Sequence, residues 1–141
     1  MTATQIALVQ NTFEMVRPIV DRAVLLFYER LFELDPSLRS LFHGSGEAQA
    51  QKLAQALTVV VKGLANPAQL RGAIEALGSR HAGYGVRDEH YATVGAALIW
   101  TLEKGLGPAF TTDARAAWVE AYGWLSGVMR AAAALAASEA A

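Results

Sequence analysis

Leu70, Ile74, Leu77 and His81 recur at helical spacing within LRGAIEALGSRHAGYGVRDEHY, residues 70–91. One helical face therefore carries three aliphatic side chains and ends in an imidazole, which that periodicity turns inward. Ala82, Gly83, Tyr84, Gly85 and Val86 follow, and their two closely spaced glycines stop the helix and turn the chain. Asp88 has the character of an N-cap for the next apolar run, Tyr91, Val94, Leu98 and Leu102. An inward histidine beside a sharp corner and a new helix has the geometry of a one-sided axial ligand to a large flat cofactor. The alternative is a hydrogen-bonded core histidine, since neutral imidazole buries tolerably when paired.

Two further polar side chains sit on apolar faces. Tyr28 shares a helical face with Val20, Val24, Phe27 and Leu31, so its hydroxyl must find a partner inside or reach a wet cavity. It is either simply core or part of a site. Gln49 is an amide in a stripe otherwise made of Leu53, Leu57, Val60 and Leu64. Its alternative is solvation at the start of a helix.

Composition removes other chemistries. The chain has 141 residues and no cysteine, which excludes disulfides, thiolate metal sites and thiol nucleophiles. Histidines 43, 81 and 90 are too few for a convincing zinc cluster, and no His-Glu-x-x-His pattern occurs. Lys plus Arg total 12 against 13 acidic residues, a net charge of −1, and the basic residues are scattered singly, which argues against nucleic acid as a partner. No stretch approaches the roughly 18 to 20 apolar residues of a spanning helix, so no membrane is expected. Met1 to Gln10 show neither a basic nor an apolar leader region, and the cytoplasm is the expected location. Any chemistry must then be borrowed from a cofactor.

The elements that position these residues are all helical. Ile6, Leu8, Val9, Phe13 and Val16 mark a first amphipathic helix ended by Pro18, and a second is expected from about Pro18 to Leu34. Asp35-Pro36-Ser37 caps a short turn through Leu38, Leu41 and Phe42, broken by His43-Gly44-Ser45-Gly46. Helix resumes from Glu47 to about Gly63, again from Asn66-Pro67 to His81, and from Asp88 to about Leu106, where Gly107-Pro108 stops it. Thr111, Thr112 and Asp113 offer caps for the most apolar helix, with Trp118, Tyr122, Leu125 and Met129 on one stripe and an alanine tail after Arg130 that is expected to fray. Without repeats, linkers or strand-period segments, the chain is expected to be one all-α domain over residues 1–141.

In this order the elements resemble the globins, and more closely the bacterial single-domain globins related to the haem domain of flavohaemoglobins. The likeness is carried by LLFYERLFELDPSLRSLF at 25–42, LGSRHAGYGV at 77–86, HYATVG at 90–95 and AWVEAYG at 117–123. It implies about seven helices around one pocket for haem b. His81 would be the proximal iron ligand through its outer ring nitrogen, the inner N–H held by a backbone carbonyl such as that of Leu77. Phe42 would match the corner phenylalanine, while Leu53, Val86 and Val94 would line the pocket. Lys52 and Arg80 stand where a cation meets a haem propionate, or are ordinary surface charges. Tyr28 and Gln49 would form the distal pair facing bound dioxygen. His43, beyond the corner, is poorly placed as a sixth ligand.

Two departures bear on enzyme activity. Tyr91 matches the family's proximal-side tyrosine, but the glutamate that joins it in the family is replaced around Ala133, which weakens electron donation to the iron. The chain also has no room for flavin or nicotinamide domains. The resemblance therefore implies reversible binding of dioxygen, nitric oxide and carbon monoxide for storage, delivery or scavenging. The alternative is nitric oxide dioxygenation supported by a separate reductase. A third reading, a haem-free helical module, uses the same stripes for packing alone.

Overall fold

The computed structural model describes residues 1–41, 46–83 and 86–140. Six α-helices run through them: α1 (Ala3–Val16), α2 (Val20–Leu34), α3 (Gly46–Gly63), α4 (Pro67–Gly83), α5 (Asp88–Leu106) and α6 (Thr112–Ala140). Tight 3₁₀ turns at Arg17–Ile19, Pro36–Leu41 and Gly107–Ala109 join some of them, and the described residues contain no strand. The all-α expectation holds. No helix among the described residues is long and apolar enough to cross a membrane.

Local chemistry sets most boundaries. Thr2 and Gln5 cap α1 reciprocally: the Gln5 N–H donates to the Thr2 hydroxyl at 3.1 Å and the Thr2 N–H to the Gln5 side chain at 2.9 Å. Pro18 falls in the first 3₁₀ turn, so α2 begins at Val20 rather than at Pro18 itself. Asp35 accepts from the Ser37 N–H at 3.1 Å and from its hydroxyl at 2.6 Å, closing the turn after α2. Gly107 takes a φ of 56°, a left-handed value that ends α5 without a Cβ penalty.

Two expectations are corrected. Asp88 is the first residue of α5 and Arg87 is its N-cap. The Asp88 carboxylate turns instead to Arg130 of α6 at 3.3 Å. A second expectation, that Pro18 opens α2, gives way to the 3₁₀ turn at Arg17–Ile19, while the alanine tail is helical to Ala140, in keeping with the high helix propensity of alanine.

The helices bury three adjoining apolar clusters. One joins α1, α5 and α6 through Val9, Phe13, Leu102 and Trp118. Its indole N–H donates to the Thr12 hydroxyl at 2.8 Å, so the one polar atom of a buried tryptophan is satisfied. A second joins α4, α5 and α6 through Leu70, Ile74, Tyr91, Val128 and Met129. A third joins α2 and α5 through Phe27, Leu31 and Ala97, with Leu53 and Val94 against it. The close contact of α4 with α6 depends on Gly78: a Cβ there would fall 2.4 Å from the Met129 carbonyl oxygen. Only hydrogen lets these two backbones approach so closely.

Candidate functional site

The sequence stripe that ends in His81 lies as expected on the inner face of α4. Leu70 and Ile74 are buried, Leu77 and His81 half-buried. His81 sits in the last turn, and its Nδ1–H donates to the Leu77 carbonyl at 2.8 Å. A carbonyl only accepts, so this bond assigns the proton to Nδ1 and leaves the lone pair of the ring on Nε2. Burial lowers the imidazole pKa below its ordinary value; the Leu77 carbonyl opposes that and the Arg80 charge reinforces it. The ring is therefore neutral at pH 7, the state in which imidazole donates to a metal.

The corner after α4 is closed by the Val86 N–H, which donates to the His81 carbonyl at 3.2 Å. That bond ties Val86 to the turn that bears His81. Tyr84 and Gly85 of the corner lie outside the described residues.

Tyr28, on α2, is half-buried and packs in the same cluster as Leu53 of α3 and Val94 of α5. Its hydroxyl donates to the main-chain carbonyl of Gln49 at 3.3 Å. Burial pushes the Tyr28 phenol up to about 12, so it stays a protonated donor through the physiological range. The Tyr28 ring lies edge-on to Phe27, with centroids 5.4 Å apart, and stacks on Phe32 at 6.1 Å. Those contacts fix its direction.

Val86 and Leu77 pack against the cluster that contains Tyr91, whereas Val94, Tyr28 and Leu53 pack against the one that contains Phe27 and Leu31. Helix α5 therefore supplies one residue to the His81 side and, three positions on, another to the Tyr28 side. Tyr91 is buried, and among the described residues its hydroxyl has no partner. Tyr122 of α6 holds this part of α5: its hydroxyl donates to the Tyr91 carbonyl at 2.5 Å and its ring lies against Gly95, where a Cβ would come within 2.7 Å. Lys52 and Arg80 are exposed on α3 and α4. Phe42 and His43 lie outside the described residues.

The donor set and its surroundings fit a haem group. A neutral imidazole has its lone pair on Nε2, a phenol kept protonated belongs to the neighbouring cluster, and Leu53, Val86 and Val94 are half-buried apolar side chains of the kind a flat apolar ligand covers. Among the described residues no group of three or more His, Cys, Asp or Glu side chains is arranged to hold a bare metal ion.

Reasoning from residue types missed the positions of Gly78, Tyr122 and His90. Gly78 would have been found by asking why a glycine interrupts the middle of a helix. Tyr122 was visible only as an apolar stripe member, because its acceptor is a backbone atom. His90 occupies the third helical position after a corner, where glutamate or glutamine signals a capping box and histidine is easily passed over.

Comparison with known proteins agrees with this architecture. Residues 25–129 match the family model described as Globin. A flavohemoprotein of Xylella fastidiosa strain 9a5c is 31% identical over 128 residues, covering 89% of this chain and 32% of that protein. A flavohemoprotein of Bordetella pertussis is 34% identical over 126 residues, covering 87% and 31%. The chain thus spans about a third of the length of these relatives. Among solved structures, one described as an engineered carbene transferase, "putative nitric oxide dioxygenase from Rhodothermus marinus", superposes with a TM-score of 0.87 at 30% identity, covering 98% of this chain and 96% of that one. A bacterial globin from Campylobacter jejuni superposes with a TM-score of 0.79 at 25% identity, covering 89% and 91%.

Proposed function

The chain belongs to the globin family, and from that premise we propose that it holds haem b through His81 and binds dioxygen, nitric oxide and carbon monoxide reversibly. The observation that carries this is the Nδ1–H of His81 donating to the Leu77 carbonyl, which orients the ring and directs its lone pair to Nε2. When bound, the haem would supply an iron able to take a diatomic ligand.

The residues of this chain do the rest. His81 positions the group from the end of α4, and Val86, docked on the His81 carbonyl, packs beside it. Leu53 and Val94 exclude water, and Phe42 at the corner is assigned the same task. Tyr28 supplies a protonated hydroxyl to a ligand that draws negative charge, with the Gln49 amide as the second donor of the distal pair. Lys52 and Arg80 offer positive charge for the haem carboxylates at the exposed rim. Tyr91 packs behind His81's helix.

The description of the Rhodothermus protein supports a second reading, nitric oxide dioxygenation, in which dioxygen and nitric oxide become nitrate. Electrons for repeated turnover would come from a separate reductase, and the protein would work in the cytoplasm.

An absorption spectrum of the purified ferrous protein, with and without carbon monoxide, tests the first claim: an intense haem band that shifts on carbon monoxide binding is expected. The same band must be lost or greatly weakened in His81→Leu, and a variant that keeps it unchanged overturns the assignment. Sustained nitric oxide consumption with an added reductase, against one stoichiometric turnover without it, separates the enzyme from the gas carrier.

A further inference from the structure

The first turn of α5 is capped by an imidazole. The Arg87 main-chain N–H donates to Nδ1 of His90 at 2.9 Å, and the His90 N–H donates back to the Arg87 carbonyl at 3.0 Å. In the usual capping box the third helical residue is glutamate or glutamine, whose side-chain oxygen accepts in every protonation state met near neutrality. An imidazole nitrogen accepts only while it lacks a proton. His90 is also 5% exposed, so its ring cannot simply swing into water when it gains one.

We propose that His90 is a proton-operated latch at the start of α5: a proton on Nδ1 converts the acceptor into a donor and breaks the bond to the Arg87 N–H. The link from Arg87 back to His81 is one residue long, because the Val86 N–H already donates to the His81 carbonyl. Release at Arg87 therefore loosens the start of the helix bearing Tyr91 and Val94, next to the Val86 bond to the turn bearing His81.

The charges around the ring favour that direction. Asp35, at the end of α2, is close enough to His90 to feel its charge; its carboxyl is held low first by the Ser37 hydroxyl, with His90 and Arg87 adding to the effect. On α5 itself Asp88 is engaged by Arg130 of α6 at 3.3 Å and Glu89 by Arg87 at 3.2 Å. The Arg87 guanidinium and the positive end of the α5 dipole oppose a charged ring in its present place. A protonated His90 is thus repelled from the Arg87 N–H.

The test uses the ¹⁵N-labelled full chain as its diamagnetic carbon monoxide complex, between about pH 5 and pH 8. The imidazole ¹⁵N shifts of His90 and the exchange rate of the Arg87 amide hydrogen, corrected for intrinsic exchange, are followed together. Exchange is expected to quicken about fivefold, the worth of one cap, in step with protonation of His90 Nδ1. His90→Gln keeps a capping acceptor that does not titrate, so its Arg87 protection is expected to be flat with pH. Flash-photolysis rebinding of carbon monoxide should show an acid limb in the wild type that His90→Gln lacks. Arg87 protection that is unchanged through the titration of His90, or an acid limb surviving in His90→Gln, overturns the latch. The carbon monoxide complex and its rebinding arm rest on the haem assignment, whose failure would appear separately as a missing haem band; the nitrogen shifts and exchange rates do not need the ligand and, read on the haem-free chain, would still decide the latch.

Discussion

The Tyr28 hydroxyl and the Gln49 main chain are joined across α2 and α3 by a hydrogen bond of 3.3 Å to the carbonyl, so this contact does not depend on the Gln49 side chain. For a bound ligand the phenol must turn from that carbonyl or share its proton. A hydrogen bond to a group carrying charge is worth about 1.5–3 kcal/mol, which exceeds the roughly 1 kcal/mol of a neutral carbonyl bond. Tyr28→Phe is therefore expected to speed dioxygen dissociation about tenfold or more, while carbon monoxide, a weaker acceptor, is much less affected. Gln49→Leu keeps the backbone carbonyl and should leave the Tyr28 contribution in place. Stopped-flow release of both gases checks this, and equal acceleration of the two by Tyr28→Phe removes the hydrogen-bond argument.

Burial raises the phenols of Tyr28, Tyr91 and Tyr122 above the ordinary tyrosine value of 10.0, that of Tyr28 to about 12 and that of Tyr122 higher still. Above pH 10 the native chain then holds protons that the unfolded chain has lost. Stability from these groups is complete below about pH 10 and falls as the pH climbs through 12. Phenolate absorbance should accordingly rise late in the native protein, together with loss of helix, and near pH 10 in denaturant. If the three ionised near pH 10 with the helices intact, their burial would be wrong.

Helical periodicity made α4 legible because Leu70, Ile74 and Leu77 share one type and one face, and it carried His81 with them to the inside. The same logic placed Tyr28 on the inner face of α2. What stayed hidden was set by atoms that no residue type advertises. The partner of Tyr28 is a backbone carbonyl, as is the partner of Tyr122. Asp88 has the better N-cap chemistry, yet Arg87 takes that place, because its N–H finds an acceptor in His90 and Asp88 finds a cation in Arg130 from a distant helix. Tertiary contacts overrode local preference there.

Gly72 and Gly78 lie on the same helix and should respond to alanine with opposite signs. At Gly72 nothing stands within 4 Å of a new Cβ, so Gly72→Ala should stabilise by about 0.5–1 kcal/mol through helix propensity. At Gly78 the new atom would meet the Met129 carbonyl oxygen at 2.4 Å and its Cα at 2.7 Å, both backbone and unable to rotate aside. Gly78→Ala must push α4 off α6 at a cost of about 2–3 kcal/mol. His81 follows three residues later, so haem should also be lost faster. Urea denaturation and haem transfer to apomyoglobin measure both effects; a neutral Gly78→Ala would show that the two helices are not in backbone contact.

Tyr91 and Tyr122 offer a matched pair of hydroxyl deletions with different expected outcomes. The Tyr91 hydroxyl is buried without a partner among the described residues, so Tyr91→Phe relieves a desolvated polar group and should stabilise the protein by about 1 kcal/mol. The Tyr122 hydroxyl donates to the Tyr91 carbonyl, which as a member of α5 also serves the helical ladder, so Tyr122→Phe loses one of two bonds at that oxygen and should cost about 0.5–1.5 kcal/mol. Because Tyr122 addresses the backbone of residue 91 and not its side chain, the two changes should add, with a coupling below about 0.5 kcal/mol in a double-mutant cycle read by urea denaturation. A larger coupling would mean that the Tyr91 hydroxyl takes part in the Tyr122 contact, and a destabilising Tyr91→Phe would mean that it has found an acceptor of its own.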